Sequence, residues 1–162
     1  MTMTDVSAVQ FRELCGQFAT GVSVVTAIAS NGSPAGMTAN SFTSVSLNPP
    51  LISVNIDRSA DMHAVLMETD AFVVNILQEG QESVSRRFAE PRDHRFEGLA
   101  FVPDHRGIPV LEGTLAMLAC AVEARVPAGD HTIVIGRVIG GQVGNGIPLL
   151  YLRGEYLASG SP

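Results

Sequence analysis

Short runs of β-branched and other apolar residues, separated by turn sequences, recur through most of this chain. Runs of this length and composition are typical of β-strands. The predicted strands cover residues 22–28, 34–37, 41–47, 51–56, 71–77, 115–126, 131–140, 149–152 and 155–158. They do not alternate with helices of about 10–15 residues, as they would in a doubly wound parallel sheet. The pattern therefore predicts a mainly β fold, a closed antiparallel barrel with short helices added to it.

Three segments have helical patterns, namely residues 7–18, 60–67 and 81–88. Ser7 and Gln10 have the spacing of a capping box at the start of the first helix. Its apolar positions form one stripe, made of Phe11, Leu14, Cys15 and Phe18. Such a stripe predicts a helix that covers a sheet. Residues 90–109 are polar and show no period, so we predict a long surface excursion, a feature that is often functional.

Composition limits the class of protein. A length of 162 residues predicts one domain over residues 1–162, and 46% hydrophobic residues allow a substantial core. The mean hydropathy of +0.25 favours an apolar surface that is buried between subunits. A net charge of −6 and the lack of a basic run argue against nucleic acid as a partner. No apolar run reaches the roughly 20 residues of a membrane span, and the first residues lack a signal peptide, so we expect a soluble, cytoplasmic protein.

Cysteines and histidines give no sign of a metal site. Cys15 and Cys120 both lie in apolar surroundings, which predicts two buried free thiols in a reducing compartment. The histidines show no ligand spacing; they are His63, His94, His105 and His131. We therefore predict no metal centre, and we interpret His63, His94 and His105 as surface or loop residues.

The segment of residues 36–50, GMTANSFTSVSLNPP, is rich in hydroxyl and amide groups. No charged residue occurs anywhere from residue 32 to residue 56, which is unusual for a solvated loop. Uncharged donors on a short backbone suit a large, flat, polar ligand. Hydroxyl-rich strands are also common in barrels, so the residues alone leave both interpretations open.

Other segments supply groups that bind phosphate. Phosphate is bound by hydroxyls and by guanidinium groups. Both types occur in these segments, at Arg58, Ser59, Arg86 and Arg87. A dinucleotide motif fails at residues 144–149, because the third glycine position is Leu149 and a strand follows. The sequence also lacks a Walker loop, a GxSxG elbow, an HExxH motif and paired CxxC motifs.

Six motifs in order give the chain a family resemblance. They are FATGVSVVTA (18–27), GMTANSFTSVSLNPPLISVNI (36–56), FVVNIL (72–77), RF (87–88), GDHTIVIGRV (129–138) and PLLYLRGEY (148–156). With these motifs the chain resembles the short-chain flavin reductases, the reductase components of two-component flavin-dependent monooxygenases. The resemblance implies an FMN-binding split β-barrel with a Greek-key core, assembled as a homodimer. It also implies reduction of FMN or FAD by NAD(P)H and release of the reduced flavin to a partner monooxygenase.

The resemblance also implies roles for individual residues. Those assigned to the flavin ring and ribityl chain are Thr38, Ala39, Asn40, Ser41, Ser44, Val45 and Ser46. Those assigned to the ribityl and phosphate groups are Asn55, Arg58 and Ser59, with Arg87 and Phe88 as a further flavin contact. His131 and Tyr151 line the nicotinamide side, and His131 is the candidate catalytic residue.

Each of these roles has a structural alternative. His131 is equally placed to satisfy a turn after Asp130, and Tyr151 is suited to a core position with a bonded hydroxyl. Asp57 is in position to cap the helix that begins near Ala60, in preference to binding a ligand. The lack of a Lys/Arg cluster for a 2′-phosphate favours NADH over NADPH.

Two further functions remain open at this point. One is a flavin-bound oxidase that resembles pyridoxamine phosphate oxidase, which requires a basic pocket that the few Arg and Lys residues here hardly provide. The other is a flavin-binding module without catalytic activity.

Overall fold

The computed structural model describes residues 5–90 and 94–157. Its strands are β1 (Thr20–Gly21), β2 (Ser23–Ile28), β3 (Pro34–Ala39), β4 (Thr43–Leu47), β5 (Pro50–Asp57), β6 (Ala71–Ile76), β7 (Phe101–Pro103), β8 (Pro109–Leu111), β9 (Ala116–Ala128), β10 (His131–Val143), β11 (Leu150–Leu152) and β12 (Glu155–Leu157). Its helices are α1 (Ala8–Cys15), α2 (Asp61–Glu68) and α3 (Glu82–Ala89). The predicted strands and helices are present, with ends shifted by up to three residues. Ala158, predicted to end the last strand, lies outside the described residues.

The main sheet has seven strands in the order β3-β2-β6-β9-β10-β5-β4. The paired neighbours are antiparallel, and β5 and β6 flank the β9–β10 pair although they follow one another in sequence. β3 and β4 are the two edges, and in the described part of the chain they do not pair with each other. The prediction of a closed barrel is therefore wrong, and the split barrel implied by the family resemblance is confirmed.

The core lies inside the curved sheet. Val25, Val54, Phe72 and Val134 come from four different strands and are fully buried there. Gly136 permits this packing, because a Cβ at this position would lie 2.5 Å from the ring of Phe72. Side chains of α2 cover one part of the cluster and complete the apolar interior.

The excursion after α3 is more ordered than its composition predicts. Strands β7 and β8 form a hairpin at its end, so the described part of the predicted surface excursion over residues 90–109 contains regular structure that its composition did not indicate. The fully buried amide of Asn75 holds this hairpin: its Oδ1 accepts from the Leu111 N–H at 2.9 Å. Its Nδ2 donates to the Val24 carbonyl at 3.0 Å and to the Thr26 hydroxyl at 3.1 Å. The Thr26 hydroxyl donates in turn to the Pro109 carbonyl at 2.6 Å. A periodicity test cannot detect an anchor of this kind, since its partners are distant in sequence.

Helix α1 does not cover the sheet. Its capping box is confirmed, with Ser7 and Gln10 bonded to each other's backbone. The stripe is nevertheless exposed: Phe11 is 60%, Leu14 65% and Phe18 78% accessible. The prediction of a packed helix is thus wrong for the chain on its own, and an apolar face remains available for another surface.

The two cysteines differ in their surroundings. Cys120 is 1% exposed, as predicted, and burial raises the pKa of its thiol to about 12. Cys15 is exposed, because it lies on α1, none of whose residues is buried by the described part of the chain. The prediction of two buried thiols is correct only for Cys120. None of the described helices is long and apolar enough to cross a membrane.

Candidate functional site

The polar segment identified from the sequence begins at the outer edge of β3. Gly36 is buried, and its carbonyl accepts a hydrogen bond from Nη1 of Arg95 at 2.9 Å. Two residues further on, the Thr38 hydroxyl donates to the Ser85 carbonyl of α3 at 2.6 Å. These contacts cover an edge strand that would otherwise present unpaired backbone groups. Arg95 belongs to the excursion, so this region positions the candidate site, a role that its composition alone did not reveal.

Asn40 lies where β3 ends and the chain turns toward β4. The buried Ser23 hydroxyl donates to the carbonyl of Ala39, immediately before it, at 2.7 Å. The Asn40 side chain itself is exposed. An amide that is exposed on a well-anchored backbone is suited to hydrogen bonding with a ligand edge.

Ser41 connects the chain just before β4 to β5. Its Oγ accepts from the Asn55 N–H at 3.0 Å and donates to the Asn55 carbonyl at 3.1 Å. β4 pairs with β5 with Thr43 opposite Ser53, so Ser41 lies opposite Asn55, two positions beyond the last pair of this ladder. The Ser41 hydroxyl therefore replaces a strand partner of β5 just beyond the end of β4.

A cleft of about 450 Å³ opens beside this segment. Its walls are formed by residues 18–23 and residues 40–43, with Ile76 between them. The volume lies within the usual range for small-molecule sites. The structure thus places a cleft of suitable size next to Asn40.

The hydroxyl residues of β4 lie on the adjoining edge. Ser44 is opposite Ile52 and Ser46 is opposite Leu51, so Val45 forms a bulge between them. Val45 is half exposed, and Ser44 is exposed as well. Bulges at sheet edges often redirect side chains toward a site.

The far end of β5 brings several predicted residues together. Asp57 Oδ1 accepts from the Ser59 N–H at 2.8 Å and from the Ser59 hydroxyl at 2.7 Å. These bonds are the main reason why the pKa of Asp57 is below its usual value. The exposed Arg58 lies between Asp57 and Ser59 in the chain, and its backbone N–H donates to the Asp130 carbonyl at 3.0 Å. The prediction that Asp57 caps α2 is wrong, because Ala60 is the N-cap residue and no side chain caps the start of this helix.

His131 begins β10, directly opposite Asp57. Its Nδ1 lies 2.7 Å from Oδ1 of Asp130, and this bond is the main reason why the pKa of Asp130 is lowered. An ionised carboxylate only accepts, so Nδ1 carries the proton and Nε2 is left for another partner. His63, interpreted as a surface residue, is instead half-buried with Nε2 3.0 Å from the Thr132 hydroxyl.

Arg87 and Phe88, the predicted flavin contacts on α3, have different surroundings in the structure. Phe88 is fully buried and packs beneath Gly36, where a Cβ would lie 2.7 Å from its ring. It therefore supports β3 from behind. Arg87 donates through Nη2 to the Glu97 carbonyl, which ties α3 to the excursion. Direct flavin contacts by Arg87 and Phe88 stay predictions.

Tyr151 joins the site through a second tyrosine. Its ring meets that of Tyr156 edge-on at 5.2 Å, and the guanidinium of Arg86 lies 4.9 Å from the centre of the Tyr156 ring. The Tyr156 hydroxyl and Ser85 Oγ share a hydrogen bond of 2.8 Å. The Ser85 carbonyl also accepts a hydrogen bond from the Thr38 hydroxyl. The closing strands β11 and β12 are therefore connected to the polar segment through α3. Sequence reasoning missed Ser23, Ser85 and Tyr156, because no local pattern signals their partners.

The donor set fits a phosphorylated planar group. An uncharged, hydroxyl- and amide-bearing surface borders the cleft, and an exposed guanidinium with a neighbouring hydroxyl lies at the end of β5. Among the described residues, no three His, Cys, Asp or Glu side chains are grouped so that they could hold a metal ion.

Comparison with known proteins assigns the fold to a family. The sequence model of the flavin reductase like domain matches residues 15–160, which is most of the chain. The chain belongs to the flavin reductase family. A member from Rhodococcus, an NADH-dependent flavin reductase, is 42% identical over 94% of this chain and 86% of its own length. The reductase component of a flavin-dependent trigonelline monooxygenase from Acinetobacter baylyi is 39% identical over 95% of this chain, which spans 51% of that protein.

A solved structure of the family agrees in detail. The NADH:FAD oxidoreductase of Streptomyces globisporus, in complex with NAD and FAD fragments, superposes with a TM-score of 0.88. It is 39% identical and covers 95% of this chain and 94% of its own. Family membership and the split barrel thus rest on both sequence and structure.

Proposed function

We propose that this chain is an NADH-dependent flavin reductase that reduces FMN or FAD and supplies the reduced flavin to a separate monooxygenase. The observation that carries the proposal is the anchored, uncharged segment beside a cleft of about 450 Å³, with the exposed Asn40 in the wall of the cleft. Relatives that match nearly the whole chain are NADH-dependent flavin reductases, which supports the choice of both cofactors.

The residues of the chain bind and orient, and the cofactors carry the chemistry. When bound, the flavin supplies the ring that accepts a hydride from the reduced nicotinamide. Asn40 and the backbone around it hold the polar edge of that ring, and Ser44 and Ser46 lie along its side chain. The guanidinium of Arg58 holds the phosphate end, since guanidinium groups are natural partners of a phosphate. Ser59 joins it by turning its hydroxyl from Oδ1 of Asp57 to the phosphate. No nucleophile is required, because alignment of two rings about 3–3.5 Å apart is the main demand on the protein.

His131 is assigned to the nicotinamide side. In the neutral imidazole, Asp130 holds the proton on Nδ1, and Nε2 is then an acceptor. An acceptor at that position suits the carboxamide N–H of the nicotinamide. Tyr151, whose ring is fixed by contact with Tyr156, is assigned to the same side.

A steady-state assay tests the proposal. Purified protein is mixed with NADH and either FMN or FAD under air, and the absorbance of NADH at about 340 nm is followed. Continuous loss is expected, because oxygen returns the released flavin to the oxidised state. Tight flavin binding without turnover would indicate a binding module instead, and turnover of an amine substrate would indicate an oxidase.

A matched variant locates the flavin site. Asn40→Asp introduces a carboxylate beside the polar edge of the ring, which repels the carbonyl oxygens there and removes an amide donor. We expect flavin Kd to rise about tenfold or more, since one charge repulsion or lost charge-assisted bond reaches about 1.5–3 kcal/mol. Asn145→Asp, in an exposed turn, is the control and should bind flavin as the wild type does.

We also propose that the chain forms a homodimer through the exposed apolar residues of α1 and of the turn after it, Phe11, Leu14 and Phe18. Large apolar side chains that none of the described residues buries are typical of a surface covered by a second copy. Analytical ultracentrifugation should show a dimer that dissociates when Phe11 and Leu14 are replaced by Glu. Glu13→Gln on the same helix serves as the control.

A further inference from the structure

We propose that the hydroxyls of Ser23, Thr38 and Ser41 are positioning groups that hold the backbone around Asn40, and that none of them donates a hydrogen bond to the flavin. This inference rests on the proposed function. It reassigns two residues, Thr38 and Ser41, whose side chains were expected to bind the ring or the ribityl chain.

The first anchor is Thr38. Its hydroxyl donates to the Ser85 carbonyl at 2.6 Å, so its proton is committed to α3. Ser85 is fully buried and is itself linked to Tyr156, which makes this end of the anchor rigid. Thr38 therefore fixes the segment to a helix 47 residues away in sequence.

The second anchor is Ser23 on the neighbouring strand. Its hydroxyl is buried, 3% exposed, and donates to the Ala39 carbonyl at 2.7 Å. The bond holds the peptide that leads directly into Asn40. A buried hydroxyl that is already bonded in this way has no free donor for a ligand.

The third anchor is Ser41, just after Asn40. Its Oγ accepts from the Asn55 N–H and donates its proton to the Asn55 carbonyl, so the single donor of this hydroxyl is used within the chain. This contact extends the β4–β5 pairing and sets the distance between Asn40 and β5. The same bonds fix the backbone of Asn55, whose side chain is exposed.

Together the three hydroxyls leave Asn40 as the exposed polar side chain between fixed neighbours. Groups that are held in their binding geometry before the ligand arrives lose less entropy on binding. Flavin affinity should therefore depend on these hydroxyls through the position of Asn40 and Asn55 and not through hydrogen bonds that they donate to the flavin.

The test combines Ser41→Ala with a readout at Asn55. Amide hydrogen exchange of the Asn55 N–H, followed by NMR on the full chain without flavin, reports the anchor directly. Flavin Kd is measured by fluorescence quenching with FMN and FAD, and KM for NADH is measured at saturating flavin. We expect exchange at Asn55 to become at least about tenfold faster, because a native hydrogen bond is lost. Flavin Kd should rise about threefold to tenfold, the range given by one net hydrogen bond. KM for NADH should stay unchanged.

Two further variants complete the design. Ser41→Thr keeps the hydroxyl and should restore both the slow exchange and the flavin affinity. Thr38→Val keeps the shape of the side chain, and it should also weaken flavin binding while leaving exchange at Asn55 unchanged. Ser33→Ala, in the exposed turn before β3, is the control and should behave as the wild type in every measurement.

The outcomes separate the possible explanations. Weaker flavin binding by Ser41→Ala with unchanged exchange at Asn55 would mean that the hydroxyl donates to the flavin, and it would overturn the inference. Faster exchange with unchanged flavin Kd would overturn it as well, since the anchor would then have no effect on the site. A wild-type protein that neither binds nor reduces flavin would refute the proposed function itself, and the exchange data would still report the anchor.

Discussion

Asn75→Ala is the substitution whose effect on stability can be worked out most directly from the structure. The side chain is fully buried and makes three hydrogen bonds, to Val24, Thr26 and Leu111. A net hydrogen bond contributes about 1 kcal/mol, and a buried donor left without a partner costs about 1–3 kcal/mol. Losing three bonds and stranding the buried Leu111 N–H should therefore lower the free energy of unfolding by about 3–5 kcal/mol. Such a loss is a large part of the 5–15 kcal/mol that stabilises a typical domain.

Urea denaturation at fixed protein concentration, followed by circular dichroism, measures the change. Asn145→Ala removes an exposed turn amide and should change the free energy of unfolding by less than about 0.5 kcal/mol. Thr26→Val removes the hydroxyl that bonds both Asn75 and Pro109, and the double variant tests whether the two residues act as one network. Additive effects of the two substitutions would argue against a shared network.

A loss of less than about 1 kcal/mol for Asn75→Ala would refute the reasoning. It would mean that the β7–β8 hairpin is held by its apolar contacts and that the amide bonds add little.

Three other predictions concern the site and its support. His131→Ala should raise KM for NADH about tenfold at saturating flavin while the free energy of unfolding changes by less than about 1 kcal/mol, because the side chain lies in an accessible turn; an unchanged KM would remove His131 from the nicotinamide side. Gly36→Ala places a methyl group 2.7 Å from the ring of Phe88 and should destabilise the fold by about 1–3 kcal/mol, lowering Tm by several degrees in a thermal scan; an unchanged Tm would show that the ring moves aside freely. The folded-state pKa of Asp57 lies below the usual 3.8, so its charge stabilises the turn with Ser59 above pH 3.8 and this contribution is lost as the pH falls through the lowered value. The stability difference between wild type and Asp57→Asn should therefore be constant above about pH 5 and shrink below 3.8, and a difference that is independent of pH would contradict the assignment.

The local elements of this protein follow from its sequence. Each β-branched run became a strand, and the capping box of Ser7 and Gln10 starts α1 as predicted. Local patterns succeed here because strand alternation, turn residues and helix caps act over a few neighbouring residues. The uncharged segment around Asn40 could also be identified, since its composition departs from that of a solvated loop.

The tertiary structure alone decided how these elements meet. The sequence predicts the apolar stripe of α1 but not whether another surface covers it, because periodicity defines a face and not its partner. The same limit applies to Thr38 and Ser41, which belong to a segment whose composition suggested ligand contacts. Their actual partners are Ser85 and Asn55, which lie 47 and 14 residues away. A hydrogen bond is specified by distance and angle in three dimensions, so a hydroxyl that binds a ligand and one that anchors its own chain have the same sequence signature.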